Sequence, residues 1–324
     1  VSVVVTDQAF GGVARERAVA EAHGVPFAEH QVRDEAETAR VVEGAQVVFV
    51  NFAPITRTVL ERLAPGAVVI RYGIGYDNVD VEAAADLGVT VCNVPDYGAD
   101  TVADHTSALI LAGLRRLLPY TTTIRDAGWV APADLGSIRG FDETTVGLIG
   151  TGRIGRAVAT RLQPFGFHVI ASDPFVDPAT LRDAGIEPVA FDELVSRAHV
   201  VSLHAPLTPE NHHLLGADEF ARMTPGALVV NTSRGPLIDQ DALAAALASG
   251  QLGGAALDVF EQEPLPADSP LRSQANVILT PHAAFFSDTS LAALQRLAAE
   301  EADRALSGQP LRCPVARPRT EVAR

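Results

Sequence analysis

The sequence predicts an α/β protein of two domains, each built around a parallel β-sheet. Short apolar runs alternate with amphipathic helical stretches along the whole chain, the pattern of repeated strand–helix units. The 324 residues are 47% hydrophobic and 20% charged, enough apolar side chain for two cores of ordinary size. The alternating series is also interrupted once, by a long apolar helix and a polar segment, before it starts again.

In the first series, strands are expected near 1–6, 46–50, 67–72 and 89–93, with helices such as 12–23 and 56–63 between them. The long helix follows at about 99–118, carrying Ala108-Leu109-Ile110-Leu111-Ala112. The segment 126–143, with its glycines and single Trp, reads as a surface loop. The second series predicts strands near 145–149, 168–172, 199–203, 227–231, 254–258 and 276–280. An Ala/Leu-rich amphipathic helix closes it at about 288–307, and the tail from 310 onward, with three prolines, reads as irregular.

Subtracting 25 basic from 40 acidic residues leaves a net charge of −15, and every basic residue is Arg. An acidic chain without a basic run argues against a nucleic-acid partner or an anionic membrane surface. No apolar stretch approaches the ~18 residues of a membrane span. Val1-Ser2-Val3-Val4-Val5 is strand-like and has no basic region before it, so no signal peptide is expected. Cys92 and Cys313 are too few for a disulfide framework or a thiolate metal site. The expectation is a cytoplasmic enzyme or binding protein.

Gly150-Thr151-Gly152-Arg153-Ile154-Gly155 is a G-x-G-x-x-G turn between the apolar strand Val146-Gly147-Leu148-Ile149 and a helix at 156–162. Glycines allow the tight turn and close backbone approach, and a helix N-terminus offers N–H groups to a pyrophosphate. Asp173 follows Gly155 by 18 positions, at the end of the next strand, where a carboxylate can accept from an adenosine ribose. A carboxylate there repels a 2′-phosphate, and Pro174-Phe175 rather than Arg follows, so the expected cofactor is NAD.

Three later strand ends carry the polar residues: Asn231-Thr232-Ser233-Arg234-Gly235, Asp258-Val259-Phe260-Glu261-Gln262-Glu263-Pro264 and Thr280-Pro281-His282-Ala283-Ala284. Ligands of open parallel sheets bind beyond the C-terminal strand ends, so the three can converge. An Arg to hold a carboxylate, a His to give a proton and an acid to orient the His are what reduction of a 2-keto acid needs. Spacing alone leaves Glu261 and Glu263 as rivals for the acid.

These segments resemble the D-2-hydroxyacid dehydrogenase family over nearly the whole chain. Arg71-Tyr72-Gly73-Ile74-Gly75-Tyr76-Asp77-Asn78-Val79-Asp80 is similar to its substrate loop. Asn93-Val94-Pro95 and Val102-Ala103-Asp104-His105 are similar to its entry into the interdomain helix, and Leu203-His204-Ala205-Pro206-Leu207-Thr208 to its strand over the cofactor. The resemblance implies Arg234, Glu263 and His282 as catalytic, with Glu263 chosen over Glu261. It implies cofactor contacts from Gly150, Gly152, Arg153, Ile154, Gly155, Asp173, His204, Pro206, Thr208, Thr232 and Thr101, with Asp258 facing the nicotinamide carboxamide. Substrate contacts would come from Arg71, Gly73, Ile74, Gly75, Arg234, His282 and Phe285. It also implies two Rossmann-like domains, one flavodoxin-like (1–97 plus 288–324, substrate-binding) and one dinucleotide-binding (98–287), with the active site in the interdomain cleft. A homodimer through the nucleotide domain is the family expectation.

Arg71, Glu210-Asn211-His212-His213-Leu214 and His282-Ala283-Ala284-Phe285-Phe286-Ser287 are similar to the C-terminal binding protein group, which includes NAD-binding corepressors. Phe285 stands where that group usually has Trp. Phosphoglycerate dehydrogenases commonly follow the His with Ile-Gly-Gly, whereas D-lactate dehydrogenases often have Ala-Phe. The function expected is NADH-dependent reduction of a small 2-keto acid to the D-2-hydroxy acid, the alternative an NAD(H)-sensing interaction protein. Arg71 is equally open to a structural ion pair. His212 and His213, adjacent in sequence, are expected to point apart and hold no metal. Asp104 reads as a helix-start and domain-contact residue, Cys92 as core, and Cys313 receives no role.

Overall fold

The computed structural model describes residues 2–316. The chain divides into two compact units, one taking residues through Gly98 and again from Ser287, the other Ala99–Phe286.

The first unit contains β1 (Val3–Val5), β2 (Phe27–Glu29), β3 (Val47–Val50), β4 (Val68–Arg71) and β5 (Thr90–Cys92). The second contains β6 (Thr145–Ile149), β7 (His168–Ser172), β8 (Glu187–Pro188), β9 (Val200–Leu203), β10 (Ala227–Asn231), β11 (Leu252–Leu257) and β12 (Val277–Leu279), and β13 (Pro314–Ala316) returns to the first. The first sheet runs β13-β5-β4-β3-β1-β2, all parallel except β13 against β5. Its parallel part has the flavodoxin-like order. The second sheet, β12-β11-β10-β9-β6-β7-β8, is parallel throughout and doubly wound. Its strand order reverses between β6 and β9, the position where such sheets bind ligands.

Both faces of the strands are covered, which is why they read as unbroken apolar runs. β3, β4, β9 and β10 are buried at every residue. In the second unit, Val146, Leu148, Val158 and Leu162 pack with Leu109 and Ile110 of the 99–114 helix on one side of the sheet. Val201, Leu203, Val229, Leu243 and Phe220 fill the other. No helix among the described residues is long and apolar enough to cross a membrane.

Four elements differ from the sequence expectation. The long helix ends at Leu114, Arg116 takes a left-handed φ of 53°, and a separate helix covers Leu117–Ala127. The expected loop thus starts later, and short 3-10 turns at Pro132–Leu135 and Phe141–Glu143 break it up. β2 and β8 lie at sheet edges and are only partly buried, so neither leaves an apolar run in the sequence. Part of the tail is a strand: Pro314 lacks an N–H, so β13 fits only at the sheet edge, where it pairs antiparallel with β5. The rest of the expected irregular tail lies outside the described residues.

Candidate active site

The 150–155 turn leaves β6 at the point where strand order reverses. Gly150 has φ 90°, and an added Cβ would lie 2.8 Å from Ala205 N and 2.9 Å from His204 C, at the end of β9. At Gly155 a Cβ would fall 2.3 Å from the Gly150 carbonyl oxygen, so only glycine lets the helix close onto the strand. Gly152 caps helix Arg153–Leu162, one turn earlier than the sequence suggested, and a Cβ there would meet nothing within 4 Å. Open space therefore lies against the backbone at a helix N-terminus, the shape a dinucleotide pyrophosphate fills.

Asp173, half-buried at the end of β7, braces this turn. Its Oδ2 accepts from the Thr151 N–H at 2.6 Å and the Thr151 hydroxyl at 2.9 Å, and Oδ1 accepts from the Phe175 N–H at 2.9 Å. A ribose hydroxyl would share these oxygens. Ile154 and Arg153 lie in the first turn of the helix. His204 shares a hydrogen bond with Ser202 Oγ at 3.0 Å, and burial pushes its pKa down to about 4, so it is neutral. Thr208 caps the short turn Pro209–Asn211, and the Asn211 amide donates to the Pro206 carbonyl at 2.7 Å. Thr232 Oγ1 is 2.7 Å from Thr106 Oγ1 on the 99–114 helix, which also carries Thr101.

The second cluster gathers at the ends of β10, β11 and β12. After β10, the Asn231 side chain accepts from Ser233 N at 3.0 Å and donates to the Arg234 carbonyl at 2.8 Å, which fixes the backbone at Arg234. A Cβ on Gly235 would lie 1.9 Å from the Phe260 carbonyl carbon, so this glycine lets the β10 and β11 ends touch. Glu263 Oε1 accepts from Phe260 N at 3.0 Å, and Oε2 meets His282 Nδ1 at 2.7 Å. Burial alone would raise the Glu263 pKa; the bond to His282, its charge and that of Arg234 outweigh burial and hold the carboxyl below its ordinary range. Glu263 is thus an ionised partner for His282. Its rival Glu261 instead bonds His213. Phe285 sets its ring edge-on to His282, centroids 6.4 Å apart.

His282 stands in a left-handed conformation, φ 52°, which a non-glycine residue adopts only when held. The holder is Asp258. Its carboxylate is fully buried and accepts from Thr280 Oγ1 at 2.5 Å, Ala283 N at 2.8 Å and Ala284 N at 2.9 Å, while its carbonyl accepts from His282 N at 2.7 Å. What Asp258 visibly does is shape the His282 turn; a cofactor amide would have to share an oxygen already taken.

In the first unit, Arg71 ends β4 and is 8% exposed. Gly73 has φ 130°, and its missing Cβ would lie 1.9 Å from Arg71 Nη1, so the guanidinium folds over this glycine. The Asn93 side chain donates to the Ile74 carbonyl at 2.7 Å and Val94 N to the Gly73 carbonyl at 2.9 Å, which pins the loop leading to Gly75.

Two minor expectations fail. His212 and His213 lie in a loop, not on a helix or strand, and their rings stack with centroids 3.9 Å apart instead of diverging. Asp104 sits in the second turn of its helix and pairs with Arg161 at 2.6 Å, a contact within the second unit. Cys92 is fully buried in the first unit's core. Among the described residues no cluster of three or more His, Cys, Asp or Glu forms a metal site. The sequence motifs include Asn231, Thr280 and His105 but give them no role of their own; His105 Nε2 lies 3.2 Å from Thr280 Oγ1. Only proximity in the fold shows their part.

Residues 107–284 match the model for the D-isomer specific 2-hydroxyacid dehydrogenase NAD binding domain. A glyoxylate reductase of Korarchaeum cryptofilum is 39% identical over 249 residues, 76% of this chain and 75% of that one. A D-3-phosphoglycerate dehydrogenase of Methanocaldococcus jannaschii is 38% identical over 84% of this chain but only 52% of its own length. The structure of an Aquifex aeolicus D-lactate dehydrogenase complexed with NAD and lactic acid superposes with a TM-score of 0.85, at 27% identity, over 94% of this chain and 96% of that one. The chain belongs to the D-isomer-specific 2-hydroxyacid dehydrogenase family, with an NAD-binding domain in its second unit.

Proposed function

We propose that this protein reduces a small 2-keto acid to the D-2-hydroxy acid with NADH, reversibly. The observation that carries the reading is the His282–Glu263 pair at 2.7 Å, with the charge of Arg234 acting on the same carboxylate. NADH, when bound, supplies the hydride for C2 of the keto acid. Arg234 grips the substrate carboxylate through its planar fork and polarises the carbonyl. Because Nδ1 of His282 faces Glu263, proton delivery to the carbonyl oxygen falls to Nε2. Glu263, ionised, accepts from Nδ1 and fixes the ring before transfer.

The 150–155 turn holds the pyrophosphate in this reading, and Asp173 selects NAD over NADP. Contacts of Arg71, Gly73, Ile74 and Gly75 with the substrate rest on the family resemblance. The relatives bear the names of reductases and dehydrogenases of different acids, and Phe285, beside His282, is the residue we assign to sorting among them. A homodimer is supported by helix Leu117–Ala127, which buries no residue and exposes Leu117 (55%), Leu118 (40%) and Ile124 (39%) near Trp129 (86%). We place the activity in the cytoplasm, where NADH is supplied; sparse cysteine use fits a reducing compartment.

The test is NADH oxidation across a panel of 2-keto acids, in the wild type and in Arg234→Lys. An ammonium cannot reproduce the bidentate grip, so kcat/KM should fall on the order of 10²-fold or more, with NADH affinity little changed. Wild-type turnover below about 0.01 s⁻¹ with every acid, against an ordinary range of about 1–10³ s⁻¹, would refute the enzyme and favour an NAD(H) sensor.

A further inference from the structure

His105 is buttressed against the anchor of the His282 turn rather than against His282 itself. It projects from helix Ala99–Leu114, with Nε2 at 3.2 Å from Thr280 Oγ1 and 3.8 Å from Asp258 Oδ1. A threonine hydroxyl has one proton, and here it is committed to Asp258 Oδ1 at 2.5 Å. The hydroxyl can only accept from His105, so Nε2 must carry a hydrogen. The chain of donors then runs from His105 through Thr280 to the Asp258 carboxylate. That carboxylate also receives Ala283 N and Ala284 N, and the Asp258 carbonyl receives His282 N at 2.7 Å. A left-handed His282 is kept in place by this one buried acid, and a buried carboxylate is sensitive to every donor aimed at it.

We propose that His105 is a positioning residue for proton transfer: acting through Thr280 and Asp258, it fixes the turn that sets His282 against Glu263. The inference rests on the dehydrogenase reading for its kinetic consequence, but its hydrogen-bond chain stands apart from that reading.

Four proteins test it: His105→Leu, His105→Gln, Thr280→Val and the His105→Leu/Thr280→Val double variant. Loss of the donor should lower kcat for a reduced keto acid roughly tenfold while NADH affinity, read by fluorescence, stays within about twofold. The Gln variant, which keeps an N–H donor, should recover most of the rate. Because the two residues act in series, the double variant should be no slower than the slower single one. Multiplied losses, a fall in NADH affinity with kcat intact, or equal damage from Gln and Leu would each overturn the proposal. Nitrogen-15 NMR of the ligand-free protein gives an answer independent of turnover: His105 should carry hydrogen on Nε2, and a neutral ring protonated only on Nδ1 overturns it. If the wild type reduces no keto acid, the dehydrogenase reading fails by that result alone, and the ring-nitrogen measurement still decides the chain.

Discussion

The 150–155 turn and the 280–284 turn lie at C-terminal strand ends of the same sheet, and missing and added atoms shape them in different proportion. The first owes its shape chiefly to missing atoms, with Asp173 bracing Thr151. Gly155 and Gly150 sit where any Cβ would collide with backbone, and Gly152 leaves its surroundings open. The second is shaped by added atoms: Asp258 collects a hydroxyl and two amide N–H groups and so holds His282 in a conformation it would not choose. A turn built from absence suits a ligand that must approach the backbone. A turn built from a polar anchor suits a side chain that must be aimed.

The largest effect is expected at Gly155. In Gly155→Ala the methyl would meet the Gly150 carbonyl oxygen at 2.3 Å, so strand and helix must separate. Overpacking of this kind costs about 1–3 kcal/mol, and NADH binding should weaken on the order of 10²-fold by titration. Asp258→Asn attacks the other turn. An amide NH₂ would face donors where an oxygen accepted them, at about 1–3 kcal/mol for the buried mismatch. Thermal stability and kcat should both fall, with NADH affinity less affected than in Gly155→Ala. If Asp258→Asn left kcat unchanged, the anchor role would be wrong.

Two smaller effects sharpen the contrast. Asp173→Ala removes the brace on Thr151 and the charge that repels a 2′-phosphate, so the NADH to NADPH ratio of kcat/KM should narrow about tenfold, ~1.4 kcal/mol. A wild type that prefers NADPH would contradict the reading of that strand end. Glu263 has a folded pKa depressed below its ordinary 4.5, so its pairing adds stability above that value and loses it as pH falls through the folded pKa. Glu263→Gln should therefore be less stable than wild type at neutral pH, the gap closing in acid. Since Glu263 also fixes the His282 ring through Nδ1, kcat for reduction should fall in this variant as well. An unchanged kcat would move the partner role to another acid.

The glycine turn was legible in the sequence because its information is local: three glycines, a strand before and a helix after. Six strands of the second unit were legible too, since burial on both faces writes a plain apolar run. The anchor was not legible. Asp258, Thr280 and His105 are far apart in the chain and carry no spacing rule, and nothing local shows that the Asp258 carboxylate also anchors the His282 turn. Glu263 and Glu261 could be ranked only by family resemblance until the fold set one on His282 and the other on His213. The helix break at Arg116 and the edge strand at Pro314 depend on tertiary packing that no periodicity reports.

The most direct measurement follows the hydride. Pyruvate, or whichever 2-keto acid the panel shows to be reduced, is incubated with NADH deuterated at C4 on the transferred face, and the product is resolved on a chiral column and by mass. The product expected is the D-2-hydroxy acid with one deuterium at C2. An unlabelled product, or the L enantiomer, would contradict that expectation.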